Sequence, residues 1–326
     1  MPNRTQNGFR KTFGLVLMVV FVGSALLSAC APKPKTEDVT LRLALIPVLD
    51  TLPLYVAEQE GFFEAHNVNV TFIAVGSGPE RDQLIAASQA DGMINEILST
   101  QFSNREKTTL QIVRFARAAT ADSPIFRILA AKDSGIQSVN DLKGVQIGVS
   151  DGTVIAYLTE RLLEEEGFTA EEIQTISVPK IPDRLSLLDS GELKAAMMPE
   201  PFSSLSVQNG ARVILDDSSH PELSCSTITF RKEIIDQYPE TIKAFLAAVE
   251  DAVNAINQNP EKYSSLMTEK QLIPAPLTGT FAVPQFVNAG VPTEAQFADA
   301  LDWAKRKGLI NVDVSYTESV NDAFLP

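Results

Sequence analysis

The chain has 326 residues, 44% of them hydrophobic and 21% charged, with a formal net charge of −14. That is enough chain for two packed bodies, since single cores stop growing near ~250–300 residues. The acidic balance argues against a nucleic-acid binder and against a protein held to anionic lipid by charge, because both need basic surface.

The first element is a head with three basic residues (Arg4, Arg10, Lys11) and no acidic one, followed by an apolar run from Phe13 to Leu27. A basic head, an apolar middle and small residues at a cleavage point make a secretory signal. The string Leu27-Ser28-Ala29-Cys30 resembles the lipobox of bacterial lipoproteins. It implies removal of 1–29, acylation of Cys30 and a place outside the cytoplasm. The run is short for a membrane span, which needs ~20 residues. Cleavage would leave a body of charge about −17. Residues 30–38, rich in Pro and charge, are expected to form a tether.

Strands and helices then alternate. Val39–Ile46 is apolar at every second position and predicts a strand; Leu52–Glu60 predicts a helix stopped by Gly61. Val68–Val75 reads as a strand, Pro79–Gln89 as a helix with Pro in its first turn, and Gly92–Ile94 as a short strand. Leu110–Phe115, Phe126–Ala131 and Val145–Val149 read as strands, and Val154–Glu166 as a helix closed by Gly167. Thr175–Val178 is a strand, Arg184–Leu188 starts a helix ending near Gly191, and Ala195–Met198 is a strand. This alternation means parallel sheets with crossover helices. Beyond about residue 230 the pattern turns helical. Thr241–Asn257 places Ile242, Phe245, Leu246, Val249, Val253 and Ile256 on one face, and Thr293 with Gln296 makes a capping box for a helix to Lys307.

Several strings resemble one family. Ile46-Pro47-Val48-Leu49-Asp50-Thr51-Leu52-Pro53-Leu54-Tyr55-Val56-Ala57, followed by Glu60-Gly61-Phe62-Phe63, is similar to the opening of ABC-importer substrate-binding proteins of the nitrate, sulfonate, taurine and thiamine-precursor branch. Pro79-Glu80-Arg81-Asp82 is similar to that branch's next helix start. Asp141-Leu142-Lys143-Gly144 with Ile147-Gly148-Val149 resembles its entry to the second lobe, and Met198-Pro199-Glu200-Pro201-Phe202 its "P-E-P" string. Lys194 departs from the family's usual Asp. The resemblance implies an α/β type II periplasmic-binding-protein fold. Two lobes, each a mostly parallel sheet flanked by helices, are joined by two crossing strands near Pro124–Ile128 and Ser224–Phe230. Lobe 1 is expected to hold 39–126 and 228–326, and lobe 2 to hold 127–227. The ligand would lie between them, and the loaded form would dock on a membrane permease coupled to an ATPase.

In open α/β sheets ligands bind beyond the carboxyl ends of the strands. That rule selects Asp50, Thr51, Leu52 and Tyr55 after the first strand, Ser77 and Gly78 after the second, and Asn95 and Glu96 after the third. In lobe 2 it selects Ser150, Thr153, Glu200 and Phe202. Ser77 and Asp151 fit equally well as helix caps. Asp50, Asn95 and Glu200 with aromatic walls at Tyr55 and Phe202 would suit a flat neutral or cationic heterocycle. Arg117, Arg127 and Lys180 could instead neutralise a sulfonate or carboxylate, although such side chains are usually solvated.

Gly76-x-Gly78 lacks the third glycine of a dinucleotide loop, and no nucleotide-phosphate loop is present. His66 and His220 are far apart, Cys225 is left without a cysteine partner once Cys30 is acylated, and no metal or cofactor is expected. The expectation is a monomeric, lipid-anchored solute receptor that captures a small organic molecule and does no chemistry. Two alternatives stand beside it: an enzyme on the same fold acting on a vitamin or menaquinone precursor, and a ligand-sensing lipoprotein without a transporter.

Overall fold

A computed structural model describes residues 39–326. The expected signal segment, the acylated Cys30 and the tether lie outside the described residues. Everything described belongs to one unit, Thr36–Pro326.

The strands are β1 (Thr40–Leu45), β2 (Asn69–Ala74), β3 (Gly92–Asn95), β4 (Leu110–Ala118), β5 (Phe126–Ala130), β6 (Gln146–Val149), β7 (Gln174–Ser177), β8 (Ala195–Pro199), β9 (Arg212–Asp216) and β10 (Cys225–Arg231). Helices of seven or more residues are α1 (Leu52–Gln59), α2 (Gly78–Ala86), α3 (Ile97–Asn104), α4 (Val154–Glu165), α5 (Ile181–Ser190), α6 (Phe202–Gln208), α7 (Pro239–Gln258) and α8 (Glu294–Arg306).

Two five-stranded sheets result, ordered β2-β1-β3-β10-β4 and β7-β6-β8-β5-β9. They share one plan. In each, three strands run parallel (β2, β1, β3 and β7, β6, β8), and the next strand is antiparallel to both neighbours. Alternation explains β1: Leu41, Leu43 and Leu45 are buried under the helices while Arg42 pairs with Asp91 at the sheet's rim. Parallel pairing needs long crossovers, and α1, α2, α4 and α5 supply them.

The chain passes between the sheets twice, through 119–125 and 217–224. The sequence reading placed these passages a few residues later, at Pro124–Ile128 and Ser224–Phe230. Pro124, Ile125 and Ser224 do lie in the passages, but Phe126–Ile128 pair within β5 and Cys225–Phe230 within β10, so Cys225–Thr227 belong to the first sheet. The passages are tied together. Asp217 accepts hydrogen bonds from the backbone N–H of Ile125 (2.9 Å) and Phe126 (3.1 Å), and Ala119 N–H donates to the Ser224 carbonyl.

The helical tail divides its attention. Helix α7 buries the expected apolar face, Ile242 to Ile256, in the first lobe's core against Leu54, Val56 and Ala57 of α1. Helix α8 begins with the expected capping box: Thr293 Oγ1 accepts from Gln296 N–H (3.2 Å), and Gln296 Oε1 accepts from Thr293 N–H (2.9 Å). It does not pack on the first lobe alone, as the reading of 228–326 had it. Its Phe297 carbonyl accepts from Gln101 of α3, while Asp299 accepts from Tyr157 (2.6 Å) and Arg161 (3.0 Å) of α4, and Trp303 Nε1 donates to Glu160. An apolar cluster containing Ile97, Leu158, Phe297 and Trp303 joins the three helices.

Candidate ligand-binding site

Strands β1, β2, β3 and β4 all run the same way, so their carboxyl ends share the edge from which the chain leaves for the other lobe. The second sheet repeats this with β6, β7, β8 and β9. The two edges joined by the passages therefore define the cleft.

At the first lobe's edge the 3₁₀ turn Leu49–Thr51 follows β1 and carries Asp50. Its Oδ1 lies 3.7 Å from Nη1 of Arg117, near the end of β4. Burial pushes the Asp50 carboxyl above its usual range, and the Arg117 charge opposes that shift. Arg117 is only 2% exposed. Its Nη2 donates to the Pro124 carbonyl (3.3 Å), but Nε and Nη1 have no hydrogen-bond partner. Ser226 stands opposite Arg117 in the β10–β4 register, and its hydroxyl, like Arg117, helps hold the Asp50 carboxyl down. A guanidinium and a hydroxyl thus gather beside a carboxylate where strand ends meet the cleft.

Glu96 adds a second raised carboxyl there. Burial lifts it, Arg81 at 3.6 Å opposes the shift, and Asp82 reinforces it. Cys225 lies close enough to Glu96 and Asp50 to feel both charges. Burial first, then those carboxylates, push its thiol up to about 12. A thiol held that firmly protonated is a packing residue and a poor nucleophile at neutral pH.

Other expected site residues are committed elsewhere. The Asn95 Nδ2 donates to Thr100 Oγ1 (2.9 Å), and its Oδ1 accepts from Thr227 (2.9 Å) and Thr229 (2.6 Å), so this amide braces the sheet. Thr51 is fully buried and donates to the Val48 carbonyl, and Leu52 is core. Tyr55 rests edge-on against Phe72, with the Lys270 ammonium 4.8 Å from its ring centre. Phe202 packs into the outer apolar cluster of lobe 2 with Leu129 and Leu188. Each half-buried ring thus has an apolar neighbourhood within its own lobe. Ser77 caps α2, accepting from Glu80 N–H (3.4 Å), with Gly78 as the helix's first residue. Thr153 caps α4, accepting from Ile155 N–H (3.2 Å) while donating to the Ser150 carbonyl (2.8 Å).

At the second lobe's edge Glu200 follows β8 and is met by Arg127 of β5 at 2.5 Å. Ser204 Oγ donates to Glu200 Oε1 (3.0 Å). Each edge thus presents a carboxylate beside a guanidinium. Arg117 is not a solvated side chain: it sits in a strand between Ala116 and Ala118 and is buried, with Ala116 buried and Ala118 partly so. Its place in Leu110–Ala118 was the signal, and the predicted strand stopped two residues short of it. Among the described residues no group of three or more His, Cys, Asp or Glu could hold a metal ion.

Two α/β lobes of one plan, joined by two passages and presenting polar groups on facing strand ends, define the type II periplasmic-binding fold. Residues 49–263 match the family model described as NMT1/THI5 like, and the chain belongs to that family. A Bacillus subtilis protein named "Putative aliphatic sulfonates-binding protein" is 22% identical over 96% of this chain and 95% of its own length. The alkanesulfonate-binding protein SsuA from Xanthomonas axonopodis pv. citri, solved bound to MOPS, superposes with a TM-score of 0.73 at 16% identity, covering 89% of this chain and all of that one. The desulfurization enzyme DSZB has the same fold, with a TM-score of 0.67 at 16% identity over 87% of this chain and 97% of that chain.

Proposed function

We propose that this protein is the extracytoplasmic solute-binding component of an ABC importer, anchored by lipid on Cys30. It captures a small polar organic molecule between its lobes and hands it to a permease driven by an ATPase. The observation that carries the reading is the buried Arg117 at the cleft edge, whose guanidinium faces Asp50 and keeps Nε without a hydrogen-bond partner. A buried donor without a partner costs roughly 1–3 kcal/mol, and an acceptor atom on a bound solute removes that cost. Asp50, Glu96 and Glu200 stand ready as acceptors for donors on the same solute. The combination favours a molecule carrying both acceptor and donor groups over a bare anion. The sulfonate-binding relatives supply the family context for this reading. Hinge closure about the tied passages would seal the solute from water.

No described helix is long and apolar enough to cross a membrane. In this reading the acyl chain on Cys30 does the tethering, helped by a second chain, since one chain alone anchors only marginally. The competing enzyme reading has a precedent in the fold of DSZB. Cys225, whose buried thiol is pushed up to about 12, does not favour a thiol nucleophile for it.

The test is a melting-temperature screen of the purified protein against sulfonates, carboxylates, zwitterions and nitrogen heterocycles. A true ligand at 100 times its Kd stabilises the protein by about 2.7 kcal/mol. Ser226→Ala should weaken that ligand roughly fivefold to tenfold, about 1 kcal/mol. If no class shifts the melting temperature, the receptor reading fails. Palmitate labelling that survives Cys30→Ala would remove the lipid anchor from it.

A further inference from the structure

The two lobes repeat more than a strand order. Helix α2 opens Gly78-Pro79-Glu80-Arg81, and α5 opens Ile181-Pro182-Asp183-Arg184. In each the fourth residue is a buried arginine that donates to the carbonyl of a strand residue 13 positions further on: Arg81 Nη1 to Ile94 of β3 (3.1 Å), Arg184 Nε to Met197 of β8 (2.9 Å). The arginines are therefore structural counterparts.

Their surroundings differ. Arg81 Nε donates to Asp82 (2.8 Å), its Nη2 donates to Ser99 (3.1 Å), and Glu96 stands 3.6 Å away. Moving by the interval that separates the arginines turns Asp82 into Leu185, Glu96 into Pro199 and Ser99 into Phe202. Every polar partner becomes apolar while the charge stays. Arg184 is fully buried, its Nη1 donates to the Val178 carbonyl (2.7 Å), and its Nη2 has no hydrogen-bond partner. Of the four buried arginines among the described residues, Arg81, Arg114 and Arg117 each face a carboxylate and Arg184 faces none. Burial alone pulls its pKa down to about 10. A buried cation without a counter-charge is costly.

The location suits an anion. Val178 precedes the ten-residue α5, so the guanidinium lies beneath that helix's first turn, where backbone N–H groups and the helix dipole favour negative charge. We propose that Arg184 and the first turn of α5 form an oxyanion subsite in the second lobe. It is filled by the acid group of the cleft solute or by a free inorganic oxyanion such as sulfate. The first form rests on the receptor reading above; the second does not need it.

The experiment follows the melting temperature of the purified protein with sodium sulfate and with sodium methanesulfonate, each against sodium chloride at matched ionic strength. Wild type should show a saturable shift beyond the chloride response. Leu185→Asp rebuilds the first lobe's arrangement and supplies an internal counter-ion. It should weaken the oxyanion at least tenfold, and Leu185→Asn, of the same size without the charge, should not. Arg184→Gln should also abolish the response and decides the matter if Leu185→Asp does not fold. Loss of both sulfate and sulfonate responses assigns the subsite to a solute's acid group, and loss of sulfate alone assigns it to a free ion. Wild type responding to neither salt beyond chloride, or Leu185→Asp and Arg184→Gln responding like wild type, overturns the subsite. Organic solutes binding without any oxyanion effect would sink this inference and leave the receptor standing. Oxyanion binding without any organic ligand would do the reverse.

Discussion

Around its helix-start arginine the first lobe closes its charges upon itself, and the second does not. Around β1 and β3, Asp91 accepts from Arg42 and Arg231, and Arg81 is enclosed by Asp82 and Glu96. The matching place in lobe 2 holds Arg184 among apolar side chains. The same backbone plan thus supports two electrostatic designs. The lesson is that topology fixes where a guanidinium can sit, while its neighbours decide whether it is a brace or a receptor.

The largest expected effect tests the brace. Arg81→Met leaves Glu96 and Asp82 without their cation and should cost about 3–5 kcal/mol in urea unfolding. Arg184→Met strands no carboxylate and should cost clearly less, about 1–2 kcal/mol for its two hydrogen bonds. Equal losses would erase the contrast between the lobes.

The passage between lobes should respond to pH. Burial pushes the Asp217 carboxyl up to about 6, against the hydrogen bonds it accepts from Ile125 and Phe126. A buried acid with a raised pKa holds its proton more tightly folded than unfolded. Its contribution therefore favours the fold most at low pH and declines as pH rises from about 4 through about 6. Stability of wild type relative to Asp217→Asn should fall by on the order of 2 kcal/mol between pH 4 and pH 7. A pH-independent difference would show that Asp217 does not titrate in that window.

A smaller effect concerns the helix that touches both lobes. Asp299→Ala removes the acceptor shared by Tyr157 and Arg161, and should cost about 1–2 kcal/mol at neutral pH. If a solute binds, its affinity should change in the same experiment, because α8 joins α3 of one lobe to α4 of the other. Unchanged stability would make α8 a passive cover.

The frame was legible in the chain because strands with one buried face alternate, as Leu41, Leu43 and Leu45 do, and because Thr293 and Gln296 advertise a helix start. Helix α3 escaped notice: Ile97-Leu98-Ser99-Thr100-Gln101-Phe102-Ser103-Asn104 has no charged face to set off an apolar one. It is buried nearly all round, with Asn104 hydrogen-bonded to β4 and Gln101 to α8. Strand β9 and helix α6 were missed for similar reasons of length and mixed polarity. At the strand ends, carboxyl-end logic selected Asp50, Glu96 and Glu200 but not the groups that stand beside them. Arg117 and Ser226 come from β4 and β10, which meet through pairing between residues more than a hundred positions apart, and local pattern carries no information about that. The same rule chose Tyr55, Asn95 and Phe202, whose side chains found partners inside their own lobes.

The place of β10 has a consequence for how the molecule is made. Every strand of the second sheet lies within 126–216, so that sheet can be completed as soon as this stretch has left the ribosome or the export channel. The first sheet cannot. Its β3 and β4 do not pair with each other; they meet only through residues 225–231, which arrive after the whole of the second lobe. The half of the protein synthesised first is therefore the half that finishes last, waiting with a gap in its middle for one returning strand.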